Sequence, residues 1–279
     1  MSIPLSELHP FPDHPFAVRD DDAMRETVES VKNYGVLVPA IVRPRKEGGY
    51  EIVAGHRRKR ACELAGIGEL LAIVRDLDKY EATIIMVDSN IQRENILPSE
   101  RAKAYKMKME AIKHQGKKPE RTSCQLGTKS RSDEKLAQDT GESARTVQRY
   151  IRLTELSEPL QQMVDDKKIA MTPAVELSYL KPKEQALLLE TIESEQATPS
   201  LSQAQRMKKL SQIGQLNEDN MLHIMSEQKK PEREDITISG ETLRKYFPRS
   251  YTPRKMEETI LRLLDAWAKS QSKKHDQSR

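Results

Sequence analysis

Aromatic residues are scarce in this chain: they make up 4% of 279 residues, with three Phe and one Trp. Cores built from such a composition are modest and helical, and a broad apolar ligand cavity is not expected. Cysteine is almost absent too. Cys62 and Cys124 lie far apart without metal-ligand spacing, which excludes a disulfide framework and a zinc knuckle and suits a reducing cytoplasm. No apolar run approaches the length that spans a bilayer, and the opening Met1-Ser-Ile-Pro-Leu-Ser-Glu7 lacks a basic stretch followed by an apolar one. A soluble protein without a membrane partner is expected. An excess of one charge is also missing: 32% of residues are charged, yet the net charge is only +4. Any surface for nucleic acid must therefore be a local patch. The chain is longer than one core usually serves, so two or three domains are expected.

The segments that are present follow a clear order. From Asp21 to Asn33 the pattern is an amphipathic helix, with Met24, Val28 and Val31 on one side and Gly35 as its stop. A β-branched run from Val36 to Arg43 ends at Pro44, Lys46-Glu-Gly-Gly49 turns, and Tyr50 to Ala54 is the next strand. Leu70 to Val74 reads as a further strand, and Glu81 to Val87 as an apolar helical stretch. Leu97-Pro98-Ser99-Glu100 opens a helix expected to reach about Gln115, and residues 101–121 hold eight Lys or Arg against two Asp or Glu. Lys117 to Arg131 reads as a loop, Ser132 to Leu156 as a helix pair, and the following helices are punctuated by Pro173, Pro182 and Pro199. The fold class predicted is α+β. A small α/β domain at 1–97 precedes an all-helical domain at 98–228, a charged linker at 229–235, a small helical unit at 236–270 and a disordered tail at 271–279.

Two segments carry chemistry. The first is Tyr50-Glu-Ile-Val-Ala-Gly55-His-Arg-Arg-Lys-Arg60-Ala-Cys-Glu-Leu-Ala-Gly66. A strand stops at a glycine, and a helix with Arg57, Arg58 and Arg60 in its opening turns follows at once. The first N–H groups of a helix are unpaired and its dipole is positive there, so this end attracts anions. Guanidinium groups add bidentate donors that fit phosphate, and glycine lets a ligand approach the backbone. These features describe a phosphate cradle; the plainer alternative is a strand-turn-helix with a solvated basic face.

The second segment runs from Ser132 to Leu153. Ala137 is small where two helices must cross, Gly141 follows four later at the turn, and Val147 follows six further on to plug the crossing. Ser143 can cap the second helix. Val147, Tyr150 and Ile151 recur at helical spacing and face inward, leaving Ala144, Arg145, Thr146, Gln148, Arg149 and Arg152 outward. Gln and Arg pair with base edges and phosphates in a major groove. A helix-turn-helix at 133–153 is predicted; a helical hairpin with a polar face is the alternative. Gln148 and Arg149 are expected on bases, and Arg145 and Arg152 on phosphates. The basic helix before it would add sequence-independent phosphate contacts.

A cradle, then a basic helix, then a helix-turn-helix resembles the ParB family of chromosome and plasmid partition proteins, in particular those on integrative and conjugative elements of Gram-positive bacteria. The family's Gly-Glu-Arg-Arg-x-Arg-Ala box appears as Gly55-His56-Arg57-Arg58-Lys59-Arg60-Ala61, and its second box as Ser89-Asn90-Ile91-Gln92-Arg93-Glu94-Asn95-Ile96. The resemblance implies CTP held by Gly55, Arg57 and Arg58, with His56 beside them. It also implies Mg2+ aided by Asn90, and Arg93 supporting the phosphates or the fold. It implies a homodimeric, nucleoid-associated clamp that loads at a centromere-like DNA site and works with a ParA-type ATPase. Two departures matter. His56 and Ser89 each replace a family glutamate. A hydroxyl is a poor base and a weak magnesium ligand beside a carboxylate, so CTP hydrolysis is expected to be slow or absent unless Asp88 substitutes. The same fold resembles sulfiredoxin, but His56 stands where that family's reactive cysteine lies. A transcriptional regulator that uses only the helix-turn-helix is the rival reading. An enzyme acting on a small molecule or on nucleic acid is a weaker one, since a nuclease needs a clustered acidic metal site and the sequence shows none.

Near the end, Thr252 and Pro253 open a helix in which Met256, Ile260, Leu263 and Trp267 step by four, three and four. Homodimerisation through this stripe is expected, with docking of another protein or packing on the same chain as alternatives.

Overall fold

The computed structural model describes residues 1–93, 96–115, 132–227, 238, 240–248 and 250–276. It divides into two compact units, Met1–Glu227 and Gln228–Arg279. Cys124, most of the predicted 117–131 loop and the predicted 229–235 linker lie outside the described residues.

The first unit opens with a five-stranded mixed sheet. Its strands are β1 (Ser2–Pro4), β2 (Leu8–His9), β3 (Ala40–Pro44), β4 (Tyr50–Ala54) and β5 (Glu69–Val74), in the spatial order β1-β5-β3-β4-β2. The β3–β4 and β1–β5 pairs are antiparallel, whereas β3–β5 and β2–β4 are parallel. Helices α1 (Asp22–Tyr34) and α2 (His56–Ala65) cover one face. There Met24, Val31, Ala61 and Cys62 pack on Ala40, Val42, Ile52, Leu70 and Ala72. On the other face Val53 meets Phe11, Phe16 and the Ala82, Met86 and Val87 side of α3 (Lys79–Ile91). Being covered on both faces explains why Ile52, Val53 and Ala54 of β4 are consecutive apolar residues rather than an alternating pattern.

Local chemistry sets the helix ends. Asp21 accepts the Met24 N–H at 2.8 Å to start α1, and Gly35, at φ 70°, stops it. Asp78 and Glu81 form a reciprocal capping box for α3. The predicted strand from Val36 is corrected to a later start at Ala40. Leu37 and Val38 stand in solvent, 73% and 63% exposed, and Pro39 has no N–H to give a ladder. The two shortest strands, β1 and β2, were not anticipated; three and two residues are too few to show a period.

The rest of the first unit is helical. In order come α4 (Pro98–Gln115), α5 (Ser132–Thr140), α6 (Ala144–Leu153), α7 (Glu158–Asp165), α8 (Met171–Leu177), α9 (Pro182–Glu195), α10 (Leu201–Gln212) and α11 (Glu218–Ser226). The α4 helix is the spine. Ala102 packs into the core of the later helices, Ala104 into the core under α3, and Tyr105 and Ile112 into that of the helix pair. A boundary at 97 is therefore a change of element type along the chain, not a gap in packing.

The second unit holds α12 (Gly240–Leu243) and α13 (Pro253–Asp276). The helix continues through 271–276, so a disordered tail from 271 is corrected there; runs of Lys and Gln are good helix formers. Met256 is buried, while Leu261, Leu263, Leu264 and Trp267 are each more than half exposed.

Because α4 feeds three cores, residues 1–227 are expected to unfold in one transition. Tyr105 is 1% exposed, and Tyr105→Ala should cost about 3–5 kcal/mol in chemical denaturation. Amide exchange should then quicken together in β4 and α9; quickening in one alone would count against a shared spine.

Candidate functional site

The turn between β4 and α2 is tight. Gly55 sits at φ 116°, and a Cβ there would lie 2.8 Å from the Ala40 Cβ. Only glycine fits that backbone against that neighbour. The helix begins directly, without a side-chain cap and without an acidic residue in its first turn. Its positive end is left for something else to neutralise.

Guanidinium groups crowd this end. Arg57 lies 3.4 Å from Asp21. Arg58 donates to the carbonyls of Val38 and Pro39, both at 2.6 Å, and so ties the exposed loop to the turn. Arg60 points away and grips Asp20 through two nitrogens, at 2.7 and 3.1 Å. Arg93 arrives from beyond α3. Burial, then the charges of Arg57 and Arg58, push its guanidinium below the usual arginine value, and only Glu100 opposes this. A cleft of about 460 Å³ opens here, lined by Phe16, Arg19, Asp21, Arg57, Arg93 and Glu100 among others. The Glu100 carboxylate accepts the Ala17 and Leu97 N–H groups at 3.0 and 3.2 Å and lies 3.8 Å from Arg19. Like charges held at one turn favour a polyanion that would relieve their repulsion.

His56 turns inward rather than toward this cleft. Its Nε2 accepts the Phe11 N–H at 3.4 Å, and its ring leans on His14 with centroids 4.0 Å apart. Burial, then the neighbouring His14, Arg93 and Lys59, lower its pKa to about 3. His14 donates from Nδ1 to the Phe16 carbonyl at 2.7 Å, the tautomer its acceptor partner requires, and its buried Nε2 has no partner. His56, which the resemblance sets beside the CTP-holding residues, is here a neutral packing and hydrogen-bonding residue. His14, Arg19 and Glu100 were not singled out from sequence, because their roles arise from contacts between segments far apart in the chain.

The second box is only partly in the cleft. Gln92 and Arg93 line it, but Asn90 is 3% exposed, with its Nδ2 donating to the Met86 carbonyl at 2.7 Å and to Ser89 Oγ at 3.1 Å. Asp88 is engaged by Lys108 at 2.6 Å and so is not free to replace the missing glutamate. A hydroxyl and one amide oxygen are a poor magnesium set without a carboxylate, and no cluster of three His, Cys, Asp or Glu exists among the described residues. These residues do not form a magnesium site of the protein's own.

The helix pair has the predicted geometry. Leu136 and Val147 are fully buried and Ala137 nearly so, Gly141 takes φ 71° at the turn, and Ser143 accepts the Thr146 N–H at 3.1 Å. Arg145 is exposed and makes no ion pair or side-chain hydrogen bond among the described residues. Thr146 shares a hydroxyl contact with Ser143 at 2.8 Å, Gln148 donates to Asp133 at 3.1 Å, and Arg149 donates to Thr172 on α8 at 2.8 Å. Two members of the outward set are corrected. Ala144 packs partly against the helix-pair core. Arg152 donates to the Ser178 hydroxyl and carbonyl at 3.1 and 2.8 Å and lies 4.1 Å over the Tyr179 ring, whose centroid is also 3.7 Å from the Lys208 ammonium. Its last-turn position brings it against α8, so its guanidinium braces the fold.

His14 and His56 give a pH signature. Their folded pKa values lie below the ordinary 6.5, so the unfolded chain takes up protons that the folded one refuses. Stability should therefore fall as pH drops below about 6.5, by up to about 1.4 kcal/mol per pH unit per histidine. Between pH 6.5 and 5, His56→Gln should flatten the denaturation profile; an unchanged slope would show that His56 is protonated in the fold.

Comparison with known proteins agrees with this geometry. The ParB N-terminal domain matches residues 1–91 and the ParB HTH domain residues 94–211. The nucleoid occlusion protein of Halalkalibacterium halodurans is 32% identical over 193 residues, 68% of this chain and 62% of the relative. Stage 0 sporulation protein J of Bacillus subtilis is 35% identical over 181 residues, 65% and 58%. A probable chromosome 1-partitioning protein ParB of Deinococcus radiodurans is 36% identical over 160 residues, 57% and 49%. The chain thus spans about half to three fifths of the length of these relatives. Among solved structures, a C-terminally truncated chromosome-partitioning protein ParB of Caulobacter crescentus complexed to the centromeric parS site is similar, at 25% identity and a TM-score of 0.45, over 75% of this chain and 98% of that one. The same protein complexed with CTP-γ-S matches at 28% identity and a TM-score of 0.32, over 67% and 95%. With both domains present in the family's order, and with both boxes on the elements that build the cleft, the chain belongs to the ParB family.

Proposed function

We propose that this protein is a CTP-dependent, sequence-specific DNA-binding protein of the partition type, acting as a homodimeric clamp on double-stranded DNA. The observation that carries the reading is the cleft in which Arg57 and Arg93 converge beside the uncapped start of α2. Asp21 and Glu100 offset part of the positive charge there, and a bound anion would balance the remainder. A nucleoside triphosphate supplies several negative oxygens and fits a turn that excludes a Cβ at Gly55. Mg2+ would arrive on the phosphates, since the buried Asn90 is not presented to the cleft. Asp88 is bound to Lys108 and Ser89 is a hydroxyl. Neither supplies a base, so turnover of CTP is slow or absent.

The helix-turn-helix would read the DNA. Arg145 is free for a phosphate, and Gln148 and Arg149 make single exchangeable contacts with Asp133 and Thr172 that base edges can replace. Pairing of two chains would use the exposed Leu263, Leu264 and Trp267 stripe of α13, and a ParA-type ATPase is the expected partner. The protein would work on the nucleoid in the cytoplasm. Names of relatives such as nucleoid occlusion protein and chromosome-partitioning protein support this setting.

Calorimetry with CTP tests the reading. Native protein should bind CTP in preference to ATP, and Arg57→Ala should weaken binding at least about ten-fold, the loss of one charge-assisted pair. Absence of CTP binding, even with a target duplex present, would leave a simple operator-binding regulator. In a duplex series, Gln148→Ala should relax base preference, whereas Arg145→Ala should weaken all sequences alike and reduce the salt slope by about one. If the two variants behave alike, the assignment of base and phosphate roles fails.

A further inference from the structure

The buried charge that occupies Asp88 also reaches the helix pair. Lys108, on α4, is fully buried, and its side chain is 1% exposed. Its ammonium lies 2.6 Å from Asp88 on α3 and 2.9 Å from Asp139 on α5. One lysine therefore joins three helices. Asp88 immediately precedes Ser89 and Asn90 of the second box, four residues before the cleft residue Gln92. Asp139 sits two residues before Gly141, the turn of the helix-turn-helix.

The chemistry of such a clasp is specific. A lysine out of water must keep a carboxylate within reach, since removing its partners leaves an uncompensated buried charge. An apolar residue would fill the same volume without dictating where α3 and α5 sit; the ammonium dictates both. The nearby α4 contacts lack this reach. Arg101 meets Glu142 at 3.1 Å and so ties α4 to the helix pair, and Tyr105 packs edge-on against Tyr150 in an apolar cluster that carries no charge. Lys108 also touches α3. A shift of the second box moves Asp88, and the ammonium must then follow it or fall back on Asp139. Both arrangements keep the charge paired, which makes two discrete states of the same three helices available.

We infer that Lys108 is a positioning residue that couples the nucleotide cleft to the DNA-reading helices, through its shared pairing with Asp88 and Asp139. The inference rests on the nucleotide reading above and adds to it the residue that transmits the state. The test is a linkage measurement. DNA affinity is measured with and without CTP, using a duplex selected from a random pool by the native chain. In the native chain the ratio of the two affinities should differ from one, within the roughly 5- to 150-fold range usual for coupled sites. Lys108→Met keeps the volume and removes the charge, and its ratio should approach one while CTP binding alone is retained. Asp139→Asn leaves Lys108 paired with Asp88 and remains foldable if Lys108→Met does not; its ratio should fall likewise. A merely structural role would change the melting temperature and leave the ratio unaltered. A native-like ratio in either folded variant overturns the clasp alone. A ratio of one in the native chain overturns the clasp and the nucleotide–DNA linkage together, and lack of CTP binding in the native chain identifies failure of the nucleotide reading itself.

Discussion

Mutual repulsion among arginines, held in place by a glycine turn, is the constraint on which the rest of the N-terminal domain depends. Arg57, Arg58 and Arg93 come from two segments that the fold forces together, and burial with the charges of Arg57 and Arg58 lowers the proton affinity of Arg93. The fold sustains this by spending one guanidinium on loop carbonyls and lending another to Asp21. Such an arrangement costs stability and is tolerable only while packing elsewhere over-determines the turn. The packing is visible: Gly55 presses on Ala40, and Ala61 and Cys62 seat α2 on the sheet. Asp21 and Glu100 offset part of this charge, and the proposed nucleotide would balance the rest.

The α4 helix turns two sequence domains into one mechanical body. It lends side chains to three cores, and it carries ion pairs to both the helix pair and α3. Domain matches that meet between residues 91 and 94 mark where one recurring module gives way to another. They do not mark a hinge of loose packing. Packing thus connects the cleft, through α4, to the helix pair.

The residues that depart from the family pattern are consistent with one another. His56 replaces a carboxylate and withdraws into a neutral pair with His14. Ser89 replaces another and bonds to its own helix backbone at 2.9 Å. Asp88 is taken by Lys108. Two carboxylates of the family pattern are thus absent from this chain, and the neighbouring Asp88 is held by an ion pair.

Much was legible in the sequence because it is local. The Gly55 turn, the caps at Asp21 and Ser143, the small–Gly–Val spacing of the helix pair and the Thr252-Pro253 helix start depend on residues within a few positions of one another. Their physics is fixed by backbone geometry and short-range hydrogen bonds. Tertiary structure decided whatever required distant segments to meet. It set His14 against His56, brought Glu100 and Arg19 into the cleft, buried Asn90, clamped Arg152 and Lys208 about Tyr179, and placed Lys108 between two aspartates. Linear spacing could say that Arg152 lies on a polar face, but not that α8 would cover that face. A side chain's partner is set by which elements pack together, and packing is a property of the whole chain.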